Sequence, residues 1–356
     1  SGGINYGNNS GMAVTSMGNN TLTWETADQY DFGFDLGFWN GKLNMIADVY
    51  LKNTNNLLYS MPLHGTSGFT SITNNIGSMR NYGVEFSING HMNLGKVNWT
   101  SSFNISHNKN KLTKLLGDDL LPIGSNRALK VGEELGAFYL FQMDGIYQYD
   151  GEVPQPLYDL GVRAGDVKYH DVDNNGIIND SDRVLTGSSN PDFFGGWNNT
   201  FKYKGFQLDV FFTYMYGNDV YAEWAVTATR PGYRMAITED AAKNRWTAPG
   251  SSNKYPRAVN TLCGHNSKNS TRFLEDGSFI RLRSLTFSYT FPQVMLQKIR
   301  MKGLRLYVQG DNLLLFSKYS GWDPEVSKNM DPQYFGVDLY GVPPSRSVNF
   351  GINLSF

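Results

Sequence analysis

The last twelve residues, 345–356, alternate apolar and polar side chains without interruption and end on Phe356. Successive residues of a β-strand point to opposite faces, so this segment is predicted to be a strand with one apolar face and one polar face. The apolar face comprises Val348, Phe350, Ile352, Leu354 and Phe356. A soluble β-sandwich has an apolar interior and a membrane β-barrel has an apolar surface against lipid, so both architectures remain open for a single strand.

The same alternation recurs along most of the chain. The turn Asn40-Gly41 predicts a tight hairpin between two such segments, because a type I′ turn needs positive φ at both central residues. A slip of the pattern between Leu282 and Leu285 indicates a β-bulge. The alternation of apolar and polar residues is weaker in two of the segments predicted to be strands, 124–132 and 137–148. The eleven predicted strands are 27–39, 42–53, 79–90, 96–109, 124–132, 137–148, 193–204, 206–216, 278–290, 303–316 and 345–356.

The amino-acid composition favours a protein with many strands, each with one face in contact with water. The 356 residues include 38 Gly, 21 Tyr, 22 Phe and 7 Trp, yet the mean hydropathy is only −0.40.

The net charge is −1, so the chain has no excess of basic residues that would favour binding to nucleic acid. The single cysteine, Cys263, excludes an internal disulfide and a cysteine-based zinc site. No uninterrupted apolar run approaches the roughly 18 residues of a membrane helix, so a membrane crossing would have to be made by strands.

The lengths of the connections favour the membrane barrel over a soluble multi-sandwich protein. Short turns such as Asn40-Gly41 and Lys204-Gly205 alternate with long segments such as 54–78, 150–192 and 217–277. Outer-membrane barrels have short periplasmic turns and long external loops. Large aromatics, which form interfacial girdles in such barrels, also gather beside the short turns. The predicted fold is therefore an all-β, transmembrane antiparallel barrel, and residues 1–356 are read as the C-terminal part of it.

An odd number of strands predicts that this chain is part of a larger barrel. Bacterial single-chain barrels use even numbers of strands. We expect the remaining strands to come from an upstream segment of the same polypeptide or from a second chain. An open edge would expose unpaired backbone groups to lipid, which costs several kcal/mol for each group.

The segment from Asp171 to Asp182 fits the spacing of a twelve-residue calcium loop. Side-chain oxygens fall at positions one, three and five, on Asp171, Asp173 and Asn175, and Gly176 follows at position six for the sharp turn. Ile177 would offer its carbonyl at position seven, and Asp182 closes the loop at position twelve in place of the usual Glu. A structural Ca²⁺ or similar divalent ion is predicted here; the alternative is an Asx-rich surface turn.

No catalytic constellation is found in the sequence. The five histidines, at positions 64, 91, 107, 170 and 265, lack ligand spacing, and there is no Gly-x-Ser-x-Gly elbow, phosphate loop or dinucleotide fingerprint. We do not predict an enzyme.

Several segments resemble a known family, and they follow its order along nearly the whole chain. These segments are Leu22-Thr23-Trp24-Glu25-Thr26, Asn81-Tyr82-Gly83-Val84-Glu85-Phe86, Gly165-Asp166-Val167-Lys168-Tyr169, Asn190-Pro191-Asp192-Phe193, Tyr203-Lys204-Gly205-Phe206, Ser278-Phe279-Ile280-Arg281-Leu282, Gln309-Gly310-Asp311-Asn312-Leu313 and Tyr319-Ser320-Gly321-Trp322-Asp323-Pro324-Glu325. They resemble the C-terminal barrel region of SusC/RagA-type TonB-dependent outer-membrane transporters of Gram-negative bacteria.

The resemblance implies a 22-stranded multi-pass barrel with an N-terminal plug, a TonB box and a SusD-type surface lipoprotein as partner. TonB would drive import of oligosaccharides or peptides. Plug, TonB box and early strands are not in this sequence, so energy coupling is not visible in it. Phe356 matches the family's signal for assembly into the membrane.

Loops 150–192 and 217–277 are expected to face the outside of the cell. Their Tyr, Trp, Asn and Asp residues suit contacts with sugars, contacts with the lipoprotein, or packing on one another. Tyr221, Trp224 and Trp246 are the candidates for cargo or partner contacts. The competing hypotheses are a secreted, calcium-clipped adhesin or glycan-binding β-protein, which would be soluble without detergent, and a passive porin, which would need no plug.

Overall fold

The architecture is taken from a computed structural model of the chain. It describes residues 4–6, 9–11, 17–117, 120–232, 235–259, 264–297, 300–330 and 334–356. Cys263 lies outside these ranges. The strands in chain order are β1 Ile4–Tyr6, β2 Asn9–Gly11, β3 Thr26–Phe38, β4 Leu43–Pro62, β5 Ser71–Leu94, β6 Val97–Leu115, β7 Leu120–Ile123, β8 Arg127–Lys130, β9 Ala137–Phe141, β10 Met143–Ile146, β11 Val167–Tyr169, β12 Arg183–Ser188, β13 Phe193–Tyr203, β14 Phe206–Tyr216, β15 Asp219–Tyr221, β16 Leu274–Asp276, β17 Phe279–Thr290, β18 Gly303–Ser317 and β19 Ser347–Ser355. The helices are α1 Gln155–Asp159, α2 Glu223–Ala228, α3 Glu239–Lys243 and α4 Gln293–Leu296.

Nine of these strands form one antiparallel main sheet, in the order β19-β18-β17-β14-β13-β6-β5-β4-β3. Among the described residues, β3 and β19 each pair with one neighbour only, so this sheet is open. The other strands form one four-stranded sheet, β12-β9-β8-β7, and three pairs. The predicted all-β, antiparallel fold is confirmed. None of the helices in the described parts is long and apolar enough to cross a bilayer.

The main sheet has one apolar face and one polar face. On the apolar face Phe32 is 73% exposed and Ile352 is 65% exposed, so these side chains do not share a dry interior. On the polar face the carboxylate of Asp209 accepts hydrogen bonds from the Thr200 hydroxyl at 2.7 Å and from the Gln207 amide at 2.8 Å. A sheet of this kind suits lipid on one side and water on the other.

Short connections join the strands at one end of the main sheet. Lys204 and Gly205 link β13 to β14 with φ of 45° and 88°, as a type I′ turn requires. The turn around Asn40-Gly41 is longer than predicted: Phe38 pairs with Leu43, so residues 39–42 form the loop. The bulge in β17 is confirmed by a register shift between Leu282 and Ser284.

The predicted loop 54–78 is mostly strand. Both strands continue past the predicted membrane segment, and only residues 63–70 connect them. The register shifts between Thr54 and Leu57, which hid the continuation from a strict two-residue pattern. Beyond this bulge, apolar side chains of β4 pack on a buried cluster made of Ile76, Leu112, Leu115 and Leu129.

The two weakly patterned segments are strands, but they are not part of the main sheet. Segment 124–132 contains β8, and segment 137–148 contains β9 and β10, all of which belong to the small sheets. All five residues of β9 are buried, with Phe138 and Leu140 fully buried. A strand covered on both faces needs a continuous apolar run instead of alternation. The main sheet therefore has nine strands where eleven were predicted.

Three tyrosines of the main sheet lie over glycines directly across the strand pair. Tyr50 is opposite Gly83, Tyr214 is opposite Gly195, and Tyr307 is opposite Gly351. A Cβ on Gly351 would lie 2.1 Å from the Tyr307 ring, and a Cβ on Gly83 or Gly195 would lie 2.6 or 2.7 Å from the hydroxyl of its tyrosine. These glycines are therefore required for the close approach of the rings. The Tyr214 hydroxyl also donates to the Asn104 carbonyl at 2.8 Å.

Candidate functional site in the long connections

The long connections 116–192, 217–278 and 318–346 fold together into one unit, the loop module. Its largest buried cluster takes side chains from all three connections. Among them, Phe138 comes from the first, Val220 and Phe273 come from the second, and Val337 comes from the third. The antiparallel order of the main sheet puts all three at the end opposite the short turns. The loop module is therefore a packed structure and not a set of independent loops.

Two arginines, the buried Arg127 and the half-buried Arg272, connect separate parts of the loop module. Arg127 donates to the Ser189 hydroxyl at 3.1 Å and to the Phe335 carbonyl. Arg272 donates to the carbonyl and the hydroxyl of Thr229, at 2.7 and 3.0 Å. Burial lowers the pKa of each guanidinium to about 10. Both groups stay charged at neutral pH, and backbone oxygens share in solvating them.

Asp166, in the segment 165–169 that carries the resemblance, is a fully buried carboxylate. It accepts two hydrogen bonds from Arg257, both at 2.9 Å. The Asn266 side chain at 2.8 Å and the Arg163 backbone amide at 2.9 Å complete its partners. A buried carboxylate is tolerated only when it is paired and hydrogen-bonded, so Asp166 fixes β11 onto the second connection. The sequence did not reveal this role, because the two side chains that bind Asp166 are 91 and 100 residues away in the chain.

The predicted calcium loop is folded around its carboxylates. Ligand oxygens of Asp171, Asp173 and Asp182 all lie within 4.8 Å of one another. The Gly176 amide donates to Asp171 at 2.7 Å, and the Asn175 amide donates to Asp173 at 3.1 Å. Gly176 has φ of 79°, as the turn at position six requires. The structure thus brings together the three carboxylates of the predicted ligand set.

Asp182 also closes the loop through the backbone. Its carboxylate is fully buried and accepts from the amides of Val172 at 2.9 Å and Asn179 at 2.8 Å. The Asn175 side-chain oxygen accepts from the Ile177 amide at 2.7 Å. The metal-ligand roles of all five residues stay predictions.

The electrostatics of the loop keep Asp171 ionised. Desolvation acts to raise the pKa of Asp171, but the hydrogen bonds from the Gly176 and Asn175 amides outweigh it, so the pKa is lowered. An ionised carboxylate beside two others is the arrangement that a hard divalent cation stabilises.

The aromatic candidates of the second connection have different environments. Tyr221 is fully buried, and its hydroxyl donates to Asn269 at 2.9 Å. Burial raises its pKa. Its prediction as a surface contact is therefore wrong, because a side chain in the core cannot reach cargo or partner. Trp224 packs against the same cluster and donates to the Tyr319 hydroxyl at 3.1 Å. Trp246 is half-buried and donates to the Gln148 side chain at 3.1 Å.

A buried ion-pair network joins the third connection to the main sheet. Arg281 of β17 donates to both carboxylate oxygens of Asp323, at 2.6 and 2.8 Å, and both residues are buried. The Glu325 carboxylate lies 2.9 Å from Nε of Arg281 and also accepts two bonds from Arg283. The segments 278–282 and 319–325 both carry the resemblance, which was the available signal for this pairing. Their contact was not predicted.

The polar face of the main sheet forms a cavity of about 620 Å³ next to this network. Asp48, Glu85 and Ser106 line it from β4, β5 and β6, and Arg283 and Glu325 line it from the other side. Aromatic and aliphatic side chains also line it, so this surface suits an aqueous conduit and solutes that have both polar and apolar parts.

The family model for the β-barrel of TonB-dependent receptor-like proteins matches residues 1–313. The chain belongs to the TonB-dependent receptor family. The family identifies the main sheet as part of the β-barrel wall of a TonB-dependent receptor.

Named members of the TonB-dependent receptor family are similar over nearly the whole chain. TonB-dependent receptor P3 of Formosa agariphila is 33% identical over 97% of this chain and 36% of its own length. TonB-dependent receptor SusC of Bacteroides thetaiotaomicron is 29% identical over 95% of this chain and 32% of its own. The structure of the RagAB peptide transporter matches with a TM-score of 0.83 and 26% identity, over 99% of this chain and 37% of the matched chain.

The resemblance to SusC- and RagA-type members is confirmed by these matches. The chain spans about a third of the length of these TonB-dependent receptors.

Proposed function

We propose that this chain forms wall and external loops of a SusC-type importer in the outer membrane of a Gram-negative bacterium, a multi-pass barrel that takes up oligosaccharides or peptides. The observation that carries the proposal is the nine-stranded sheet, whose exposed apolar face backs a polar face with a cavity. The similarity to SusC and to the RagAB peptide transporter supports nutrient import as the activity. The cavity, which polar and apolar side chains line together, suits either class of cargo.

The proposed partners follow from the same likeness. A SusD-like surface lipoprotein would cover the loop module, and TonB would supply energy through a plug and TonB box outside this sequence. The remaining strands would come from the same polypeptide or another chain. Trp224 and Trp246 stay candidates for cargo or partner contacts, because each residue is only partly buried. Phe356, 76% exposed beyond the end of β19, is proposed as the assembly signal.

Purification of the full-length protein in detergent from native membranes tests this proposal. We expect a surface lipoprotein to co-purify and a plug domain to be present in the complex. A monomer that is soluble without detergent would instead support the secreted adhesin. A barrel with no plug in any chain of the complex would support the passive porin.

We also propose that the loop 171–182 holds a structural Ca²⁺ or similar ion. The three carboxylates that lie within 4.8 Å of one another support this proposal. Such an ion would offset the mutual repulsion of the carboxylates and hold the exposed part of the loop to its own buried residues, Ile178 and Asp182. Among the described residues no long helix flanks the loop, so a structural role for the ion suits this site better than the role of a calcium sensor.

Calcium is expected to stabilise the loop module of the full-length protein. At a concentration 100 times the Kd, a bound ion adds about 2.7 kcal/mol to the free energy of unfolding. The variant Asp171→Ala/Asp173→Ala should lose this response, measured as the shift in unfolding temperature between calcium and a chelator. Asp180→Asn is the matched control, because Asp180 lies in the same loop with a side chain 89% exposed and outside the ligand set. Equal responses in both variants would contradict the proposed site.

A further inference from the structure

The short connections at one end of the main sheet share a charge pattern. They are residues 39–42, 95–96, 204–205 and 291–302, together called the short-connection rim. None contains Asp or Glu, and each contains at least one Lys. By contrast, the three connections 116–192, 217–278 and 318–346 at the other end together carry 24 acidic and 16 basic side chains, and the excess comes from 116–192. The two ends of the barrel wall therefore differ in charge, although the chain as a whole is nearly neutral.

The basic side chains of the rim are free to meet an external partner. All five that the structure describes are exposed, and none forms an ion pair with another described residue. These residues are Lys42, Lys96, Lys204, Arg300 and Lys302. Lysines at the ends of membrane-spanning strands extend their charges toward the interface while their stems lie along apolar surface.

Apolar and aromatic side chains lie beside these charges. Trp39 is 72% exposed next to Lys42 in the chain, and Nζ of Lys204 lies 5.4 Å from the centre of the Tyr203 ring. Helix α4 adds Val294 and Met295, which are 74% and 60% exposed. Exposed apolar side chains on a short polar connection suit the boundary between head groups and acyl chains. The apolar face of the main sheet continues directly from this rim.

We propose that the short-connection rim binds the anionic head groups of phospholipids in the adjacent leaflet. This inference rests on the proposed membrane barrel, because it requires the apolar face to contact lipid. Charge complementarity carries it: unpaired cations form a row at the level where the apolar face ends, and the acyl chains of the same lipids would cover that face. The rim would hold the barrel at a fixed depth and orientation.

The test measures lipid selectivity of the full-length protein in phosphatidylcholine bilayers. Spin-labelled phosphatidylglycerol and spin-labelled phosphatidylcholine with identical chains are compared by the fraction of each that is immobilised at the protein. Because each head group meets about one lysine, we expect a preference for phosphatidylglycerol of about fivefold at low salt. At 1 M salt, where the Debye length is about 3 Å, most of this preference should disappear.

Two matched variants assign the effect to the rim. The rim variant is Lys42→Gln/Lys96→Gln/Lys204→Gln/Lys302→Gln, and it should lose most of the preference. The control is Lys111→Gln/Lys114→Gln/Lys130→Gln/Lys318→Gln, which removes four exposed lysines at the other end and should keep it. A third variant with Arg at the four rim positions retains charge and should also keep the preference, which separates charge from assembly defects.

The possible outcomes distinguish this inference from the proposed function. If the rim variant selects phosphatidylglycerol as strongly as the wild type, or if the control loses selectivity equally, the rim does not bind anionic lipid. Immobilised lipid without any selectivity in the wild type would also overturn the inference but leave the membrane barrel intact. If neither labelled lipid is immobilised, the membrane barrel itself is wrong.

Discussion

Replacing Arg281 by leucine will lower the free energy of unfolding of the full-length protein by about 3–5 kcal/mol, because the change leaves a buried carboxylate without its partner. Asp323 is 4% exposed, and Nη2 of Arg281 donates to both of its carboxylate oxygens. Its neighbour Glu325 would lose one of its two arginines. The effect should appear as a lower unfolding temperature in detergent and as faster proteolysis of residues 318–346.

Two further variants make the Arg281 experiment specific. Arg346→Leu makes the same chemical change at an exposed position that forms no ion pair with a described residue, and it should shift stability by less than about 0.5 kcal/mol. The double variant Arg281→Leu/Asp323→Leu removes both buried charges and should recover much of the loss. A double variant as unstable as the Arg281 variant would show that Arg281 acts through packing and not through the ion pair.

Arginine in place of Phe350 will strongly impair assembly of the barrel into the membrane. Phe350 is 82% exposed near the middle of β19, on the apolar face. A basic side chain on the lipid face costs about 2–4 kcal/mol near the bilayer midplane. The measurement is the amount of folded, heat-modifiable barrel in outer-membrane fractions.

The adjacent residue provides the control for Phe350→Arg. Asn349 lies on the polar face and donates to the Asp311 carboxylate at 3.1 Å. Asn349→Arg should be tolerated, since the new guanidinium meets water and that carboxylate. Equal tolerance of both substitutions would indicate water on both faces and would contradict the membrane barrel.

The local sequence was enough to locate the strands that have one apolar face and one polar face. Where one face of a strand is apolar and the other is polar, as in 206–216 and 345–356, a period of two marks the strand and its faces. Turn chemistry at Lys204-Gly205 and the ligand spacing of 171–182 were equally visible, because both depend on residues close together in the chain. The order of the resemblance segments also pointed to the family that the comparisons show.

The two-residue pattern failed to place a strand correctly where both faces of the strand are buried or where a bulge interrupts the alternation. β9 is covered on both sides, so its apolar run could not show that it lies outside the main sheet. The bulge after Thr54 broke the period of β4, and the strand appeared to end there. Tyr221 has the composition of a loop aromatic, and only packing against the other two connections makes it a core residue.

Thus the sequence by itself determined the all-β class, the two-faced strands, the short turns and the acidic loop. The tertiary structure alone decided the membership of the main sheet, the pairing of Arg281 with Asp323 and the assembly of three long connections into one module. The physical reason is the distance along the chain between the residues that interact. Alternation and turn geometry are set by neighbours in the chain, whereas burial and ion pairing depend on residues that only folding brings together.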